Sequence, residues 1–130
     1  MKVVLVVDDD ILNRITLNHM LGKNGYEVRL ACNGSEALEI LATEPIPDAI
    51  LTDIEMPVMD GRALLHAFRK DDRWQDCKIP VIALTAHSLP EDREALLLAG
   101  FDALLGKPVE RESLVSTLQS FLPPQAEGTE

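Results

Sequence analysis

The chain is poor in cysteine and in basic residues, and it has no long apolar run. Each shortage narrows what the protein can be. Only two cysteines occur in 130 residues, Cys32 and Cys77, far apart and neither in a CxxC pair. That argues against a zinc site or a disulfide framework and fits two free thiols in a reducing compartment. Lysine and arginine total 12 against 22 aspartates and glutamates, a formal net charge of −10. Nucleic acid and anionic membranes both call for basic surface, so neither is expected as a partner. No apolar stretch approaches the roughly 20 residues of a membrane span. The N-terminus offers one lysine and the short apolar run Val3 to Val7 before Asp8-Asp9-Asp10, too little for a signal peptide. A cytoplasmic location is expected. The length suits one domain with a real core.

What is present is a series of short apolar runs, each closed by a polar group. Val3 to Val7 ends at Asp8-Asp9-Asp10, and Ala49 to Thr52 ends at Asp53. Val81 to Leu84 ends at Thr85, and a run from Ala103 ends at Lys107-Pro108. Continuous apolar runs of this length are expected for strands buried on both faces. Glu27–Ala31 is more polar and is expected at an edge.

Between these runs lie segments of helical period. Ile11–Lys23 carries Ile11, Leu12 and Ile15 at helical spacing and stops at Gly22 and Asn24-Gly25. Asn33 is placed to cap a helix over Ser35–Thr43, with Ala37, Leu38 and Leu41 inward. Gly61–Lys70 follows, with Leu64, Leu65 and Phe68 on one side, and then a polar loop over Asp71–Lys78 carrying Trp74. Ser88 and Glu91 have capping-box spacing and open a helix that stops at Gly100. The last helix is expected over Glu110–Leu122, with Leu114, Val115, Leu118 and Leu122 aligned. Residues 1–122 thus read as one domain and 123–130 as a disordered C-terminal tail.

Strands alternating with helices imply an α/β fold, an open parallel sheet covered on both faces. Ligands of such sheets sit outside the carboxyl ends of the strands, where the winding reverses. With the order 2-1-3-4-5, Asp8, Asp9 and Asp53 would be neighbours at that point. Three carboxylates held close repel one another unless a cation intervenes. Mg²⁺ takes one or two carboxylates and keeps positions free for phosphate oxygens. Asp53 then reads as a nucleophile toward a phosphoryl group, with Lys107 and Thr85 as partners of the phosphoryl oxygens. The product would be a labile acyl phosphate.

These residues resemble a known family. Val6-Val7-Asp8-Asp9, Asp53-Ile54-Glu55-Met56-Pro57-Val58-Met59-Asp60-Gly61, Ala83-Leu84-Thr85-Ala86 and Lys107-Pro108 look like the receiver domain of two-component response regulators, the CheY-like fold. The resemblance covers residues 2 to about 122. It implies a doubly wound five-stranded parallel sheet of order 2-1-3-4-5. It further implies phosphorylation of Asp53, a Mg²⁺ site at Asp8, Asp9, Asp53 and the Glu55 backbone carbonyl, a switch hydroxyl at Thr85 and a phosphate-binding Lys107. The Lys107–Pro108 bond would be cis. The donor would be a phosphohistidine on a histidine kinase or phosphotransfer domain, and a further downstream protein would read the phosphorylated state.

A finer resemblance, through Asp9 to Arg14 and Thr85 to Arg93, is to receivers attached to hybrid histidine kinases. A free-standing receiver or a domain excised from such a kinase is expected. One departure stands out: Leu104 occupies a position where the family usually has tyrosine or phenylalanine. With Leu98 it would add apolar surface to the face of the fourth helix, fifth strand and fifth helix, an expected partner or homodimer surface. Glu55 and His87 are expected to tune the lifetime of the phosphoryl group.

Two other readings compete. A haloacid-dehalogenase-type phosphatase would use Asp8 as its nucleophile, but it needs a further acidic pair after Lys107. A pseudo-receiver would have lost site residues, whereas Asp8, Asp9, Asp53, Thr85 and Lys107 are all present.

Overall fold

A computed structural model of the chain describes residues 2–43, 46–74, 78–86 and 89–122. The order of elements is β1 (Val3–Val7), α1 (Ile11–Lys23), β2 (Glu27–Ala31), α2 (Gly34–Leu41), β3 (Ala49–Asp53), α3 (Gly61–Lys70), β4 (Val81–Thr85), α4 (Pro90–Ala99), β5 (Ala103–Gly106) and α5 (Arg111–Phe121). All strands pair in parallel, in the order β2-β1-β3-β4-β5. The polar β2 lies at one edge, as its composition implied.

The apolar runs are continuous because both faces of the sheet are covered. Leu5 and Val7 face one layer with Ala37 and Leu41 of α2, Leu64, Leu65 and Phe68 of α3, and Leu96 of α4. Val4 and Val6 face the other, with Leu17 and Leu21 of α1 and Leu114, Leu118 and Leu122 of the α5 region. Burying each such side chain contributes about 1.5–3 kcal/mol. No helix among the described residues is long and apolar enough to cross a membrane.

The boundaries expected from sequence hold within a residue or two, with instructive departures. The loop after α3 opens with a 3₁₀ turn, Asp72–Trp74, and Trp74 stacks on Phe68 with ring centroids 5.9 Å apart. α4 starts at Pro90, whose fixed φ suits the first helical position, and Leu89 occupies the cap without a side-chain bond. Ser88, the expected capping residue, lies outside the described residues, as do His87, Cys77 and the expected tail at 123–130. α4 does stop at Gly100, which adopts a left-handed φ of 116°.

In α1 the limits are as expected, and the residues at helical spacing near its start, Ile11, Leu12 and Ile15, are 60%, 69% and 57% exposed. Leu17 and Leu21, one turn apart, bury instead.

Candidate functional site

The parallel register brings the polar strand ends to one edge of the sheet. Val7 aligns with Thr52, Asp53 with Leu84, and Thr85 with Gly106. The residues that follow β1 and β5, Asp8 and Lys107, therefore meet Asp53 and Thr85 at the carboxyl end. The winding reverses between β1 and β3, where such folds open a crevice.

Asp8 is fully buried, and three of its four polar atoms are tied. Its N–H donates to the carbonyl of Ala31 at 3.0 Å. Its Oδ1 accepts from the backbone N–H of Asp10 at 2.9 Å, and its carbonyl accepts from Arg14 Nη1 at 2.6 Å. Its Oδ2 has no hydrogen-bond partner among the described residues. Lys107 Nζ stands 3.5 Å from that oxygen, an ion-pair distance rather than a good hydrogen bond. Asp10 turns away to cap α1, accepting from the N–H groups of Leu12 and Asn13.

Asp53 is 8% exposed. Its Oδ1 accepts from the N–H of Ile54 at 2.8 Å, and its Oδ2 lies 2.9 Å from Lys107 Nζ. Burial pushes the Asp53 carboxyl above its ordinary pKa. The hydrogen bond and charge of Lys107 pull it back and the charge of Asp8 pushes it up again, leaving it raised. Burial alone would lower Lys107, but the hydrogen bond and charge of Asp53, with Asp8 beside it, outweigh burial and leave the ammonium raised. One lysine thus serves two crowded carboxylates and does not fully neutralise them.

One oxygen from each of Asp8, Asp9 and Asp53 lies within 4.8 Å of the others, with Asp9 at the exposed rim. A hard divalent cation fits this set. The donors are all oxygens, and one of them, Asp8 Oδ2, is buried with no hydrogen-bond partner among the described residues. Glu55 lies two residues beyond Asp53 with its side chain exposed, outside this carboxylate group. Thr85 is 2% exposed at the end of β4, and its carbonyl accepts from the N–H of Lys107 at 2.9 Å. The Lys107–Pro108 peptide is cis.

The loop from Ile54 to Asp60 is pinned at both ends. Gly61 N–H donates to the carbonyl of Ile54 at 2.8 Å, and Gly34 N–H to that of Met59 at 3.0 Å. Between them Val58 takes a φ of 71°, left-handed and uncommon for a β-branched residue. Such strain is held only where the surroundings determine it and gathers at functional sites. Sequence reading missed the parts played by Gly61, beneath Asp53, and by Arg14. Glycine directly after the cap Asp60, and an arginine one turn into α1, were the available signals.

The model of the response regulator receiver domain matches residues 4–119. The chain belongs to that family. It is 38% identical over 118 residues to the sensor histidine kinase RcsC of Escherichia coli, covering 91% of this chain and 12% of RcsC. The chain thus spans a small part of that relative. Among solved structures it resembles the chemotaxis protein CheY4 of Vibrio cholerae, at 36% identity and a TM-score of 0.84, over 94% of this chain and 99% of that one. It also resembles the receiver domain of the sensor histidine kinase PA1611 of Pseudomonas aeruginosa, at 35% identity and a TM-score of 0.81, over 92% of this chain and 96% of that one. That receiver was solved with a magnesium ion coordinated in its active-site cleft. This receiver is therefore a signalling module of two-component systems rather than a conventional enzyme.

Proposed function

We propose that this receiver takes a phosphoryl group from a phosphohistidine onto Asp53, in a Mg²⁺-dependent step of a cytoplasmic phosphorelay. The observation that carries the reading is the arrangement around Asp53: a carboxylate with one oxygen on Ile54 N–H, the other on Lys107, and two further carboxylates alongside. Asp8, Asp9, Asp53 and the backbone carbonyl of Glu55 would hold Mg²⁺, which supplies charge neutralisation. Asp53 attacks phosphorus as the P–N bond to the donor imidazole breaks. Ile54 N–H fixes the carboxylate's other oxygen, so the attacking one keeps its aim. Lys107 then pairs with a phosphoryl oxygen, and Thr85 offers its hydroxyl to another. Movement of Thr85 would alter the surface formed by α4, β5 and α5, and Glu55 and His87 would set how fast water cleaves the acyl phosphate.

The donor, a histidine kinase or phosphotransfer domain, must bring its imidazole within bonding distance of Asp53. It must therefore cover the mouth of the site. The exposed Ile11, Leu12 and Ile15 follow directly from the acidic cluster on α1, and Val58, 82% exposed, lies on the β3–α3 loop. An apolar helical face on the donor suits this rim. The α4-β5-α5 face has its own apolar residues. Leu98 is 82% exposed, while Leu104 packs partly against the core and lines a cavity of about 330 Å³ with Arg93, Glu110 and Ser113. That face would serve a downstream protein or a homodimer.

One experiment separates the two faces and tests the reading. Transfer from a phosphorylated histidine phosphotransfer domain is followed with radiolabel, beside sedimentation of the phosphorylated receiver. Asp53→Asn is expected to accept nothing. Ile15→Ser is expected to slow transfer about tenfold, in line with the loss of about 1.4 kcal/mol of interface energy, and to leave self-association unchanged. Leu98→Ser is expected to transfer normally and to associate less. Leu98 is the cleaner probe than Leu104, whose loss also damages the core. Full-rate transfer by Ile15→Ser would remove the α1 docking face, and unchanged association of Leu98→Ser would remove the dimer.

A further inference from the structure

We infer that Arg14 is a positioning residue for the acidic pair, fixing the peptide plane that joins Asp8 to Asp9 and so the geometry of the metal site. The inference rests on the Mg²⁺ reading above. The carbonyl of Asp8 and the nitrogen of Asp9 belong to one planar peptide unit. Arg14 reaches back from the first turn of α1 and donates from Nη1 to that carbonyl at 2.6 Å. A charge-assisted bond of this length is among the stronger ones. Its own N–H is held by the carbonyl of Asp10 at 3.0 Å, so the base of the side chain is anchored in the helix. The same turn contains the Asp10 N–H bond to Asp8 Oδ1.

The consequence is directional. With N–H, carbonyl and Oδ1 of Asp8 all engaged, rotation of the carboxylate is blocked and the bare Oδ2 is aimed. With the Asp8–Asp9 peptide plane fixed, the Asp9 Cα is placed as well, and with it the direction in which its carboxylate leaves the chain. Without Arg14 the plane is free to tilt, and the two carboxylates lose their mutual register. Arg14 is also a positive charge bonded to the backbone of the acidic cluster. If charge were its main effect, removing it would strengthen binding of every divalent cation. If it acts through geometry, removal weakens the cation that demands strict geometry. Mg²⁺ requires a near-ideal octahedron, whereas Ca²⁺ tolerates irregular shells.

The test is calorimetric titration of the full chain with Mg²⁺ and, separately, Ca²⁺, for wild type, Arg14→Met and Arg14→Gln, with thermal melting of each metal-free protein. Arg14→Met is expected to lose about tenfold in Mg²⁺ affinity, the low end of what outer-shell partners of metal sites contribute. Its Ca²⁺ affinity is expected to stay within about twofold, because irregular oxygen shells suit that ion. Arg14→Gln supplies the same comparison should the methionine variant not fold. Unchanged Mg²⁺ affinity, equal loss of both ions, or tighter binding of both would overturn the positioning role. A wild-type protein that binds no Mg²⁺ would instead overturn the functional reading and this inference with it.

Discussion

Gly61→Ala is expected to cost about 3 kcal/mol of stability, the upper end of overpacking penalties, and to abolish phosphorylation of Asp53. Gly61 opens α3 directly after its cap, Asp60, whose carboxylate accepts from Ala63 N–H at 2.9 Å. A Cβ at Gly61 would overlap the carbonyl oxygen of Asp53 and lie 3.1 Å from the Cα of Ile54. The obstructing atoms are backbone, so no rotamer relieves them. That carbonyl also accepts from the Thr52 hydroxyl at 2.9 Å, and Gly61 N–H is committed to the carbonyl of Ile54 at 2.8 Å. Relief therefore moves either the end of β3, carrying Asp53, or the start of α3. Urea denaturation gives the stability loss. Gly22, inside α1 with nothing within 4 Å of an added Cβ, is the control. The same substitution there is expected to stabilise by about 0.5–1 kcal/mol through helix propensity alone. Gly61→Ala losing less than about 1 kcal/mol would mean that α3 docks more loosely on the acceptor strand than the close-packed backbone implies.

Lys107→Met is expected to destabilise the metal-free protein by about 2 kcal/mol, less than the 3–5 of a fully buried pair because the lysine keeps some solvent contact, and Mg²⁺ is expected to restore most of that loss. Lys107 is the positive partner of both Asp53 Oδ2 and the buried Asp8 Oδ2. Removing it leaves two buried carboxylates facing each other, which only protonation or a cation relieves. Mg²⁺ affinity of the variant is expected to rise, since a competing positive charge has gone. The pH dependence of the wild type follows from the two raised values. Lys107 binds its proton more tightly folded than unfolded. Its stabilisation is therefore complete at neutral pH and is lost only as the pH climbs through a folded pKa above the ordinary 10.5. Asp53 is also raised, so its charged form is disfavoured by folding. Metal-free protein gains stability as the pH falls through that folded pKa, and the gain is complete below the ordinary 3.8. Denaturation with and without Mg²⁺, at pH 7, through the acid range and above the ordinary lysine value of 10.5, reads both effects. A Lys107→Met variant as stable as wild type without metal would contradict the assignment of Lys107 as the counter-charge.

Much of this was legible in the sequence because buried parallel strands leave a plain mark. Val3–Val7 and Val81–Thr85 are apolar at every core position, and each ends in a polar residue that the sheet register then gathers. Asp8, Asp53 and Lys107 could thus be grouped before any coordinate was known. Periodicity could not distinguish a helix face that packs from one left free. Ile11, Leu12 and Ile15 satisfy helical spacing as well as Leu17 and Leu21 do, and only the sheet beneath α1 decides which set is buried. The start of α4 shows a related limit of pattern: Ser88 and Glu91 match a capping box, but Pro90 at the first helical position makes Leu89 the cap. Arg14 and Gly61 were visible as residues but not as actors. A bond from a side chain back to a backbone carbonyl, and a gap too small for a methyl group, are facts of three-dimensional approach that one-dimensional pattern does not carry.

Phosphorylation of Asp53 is read most directly from intact mass after incubation with Mg²⁺ and acetyl phosphate, for wild type beside Asp53→Asn. The expected result is a single phosphoryl adduct on the wild type that requires Mg²⁺, is lost on standing in water, and is absent from Asp53→Asn. An adduct that persists in Asp53→Asn would contradict the account, and its location at Asp8 would favour a phosphatase-like nucleophile in place of a receiver's acceptor.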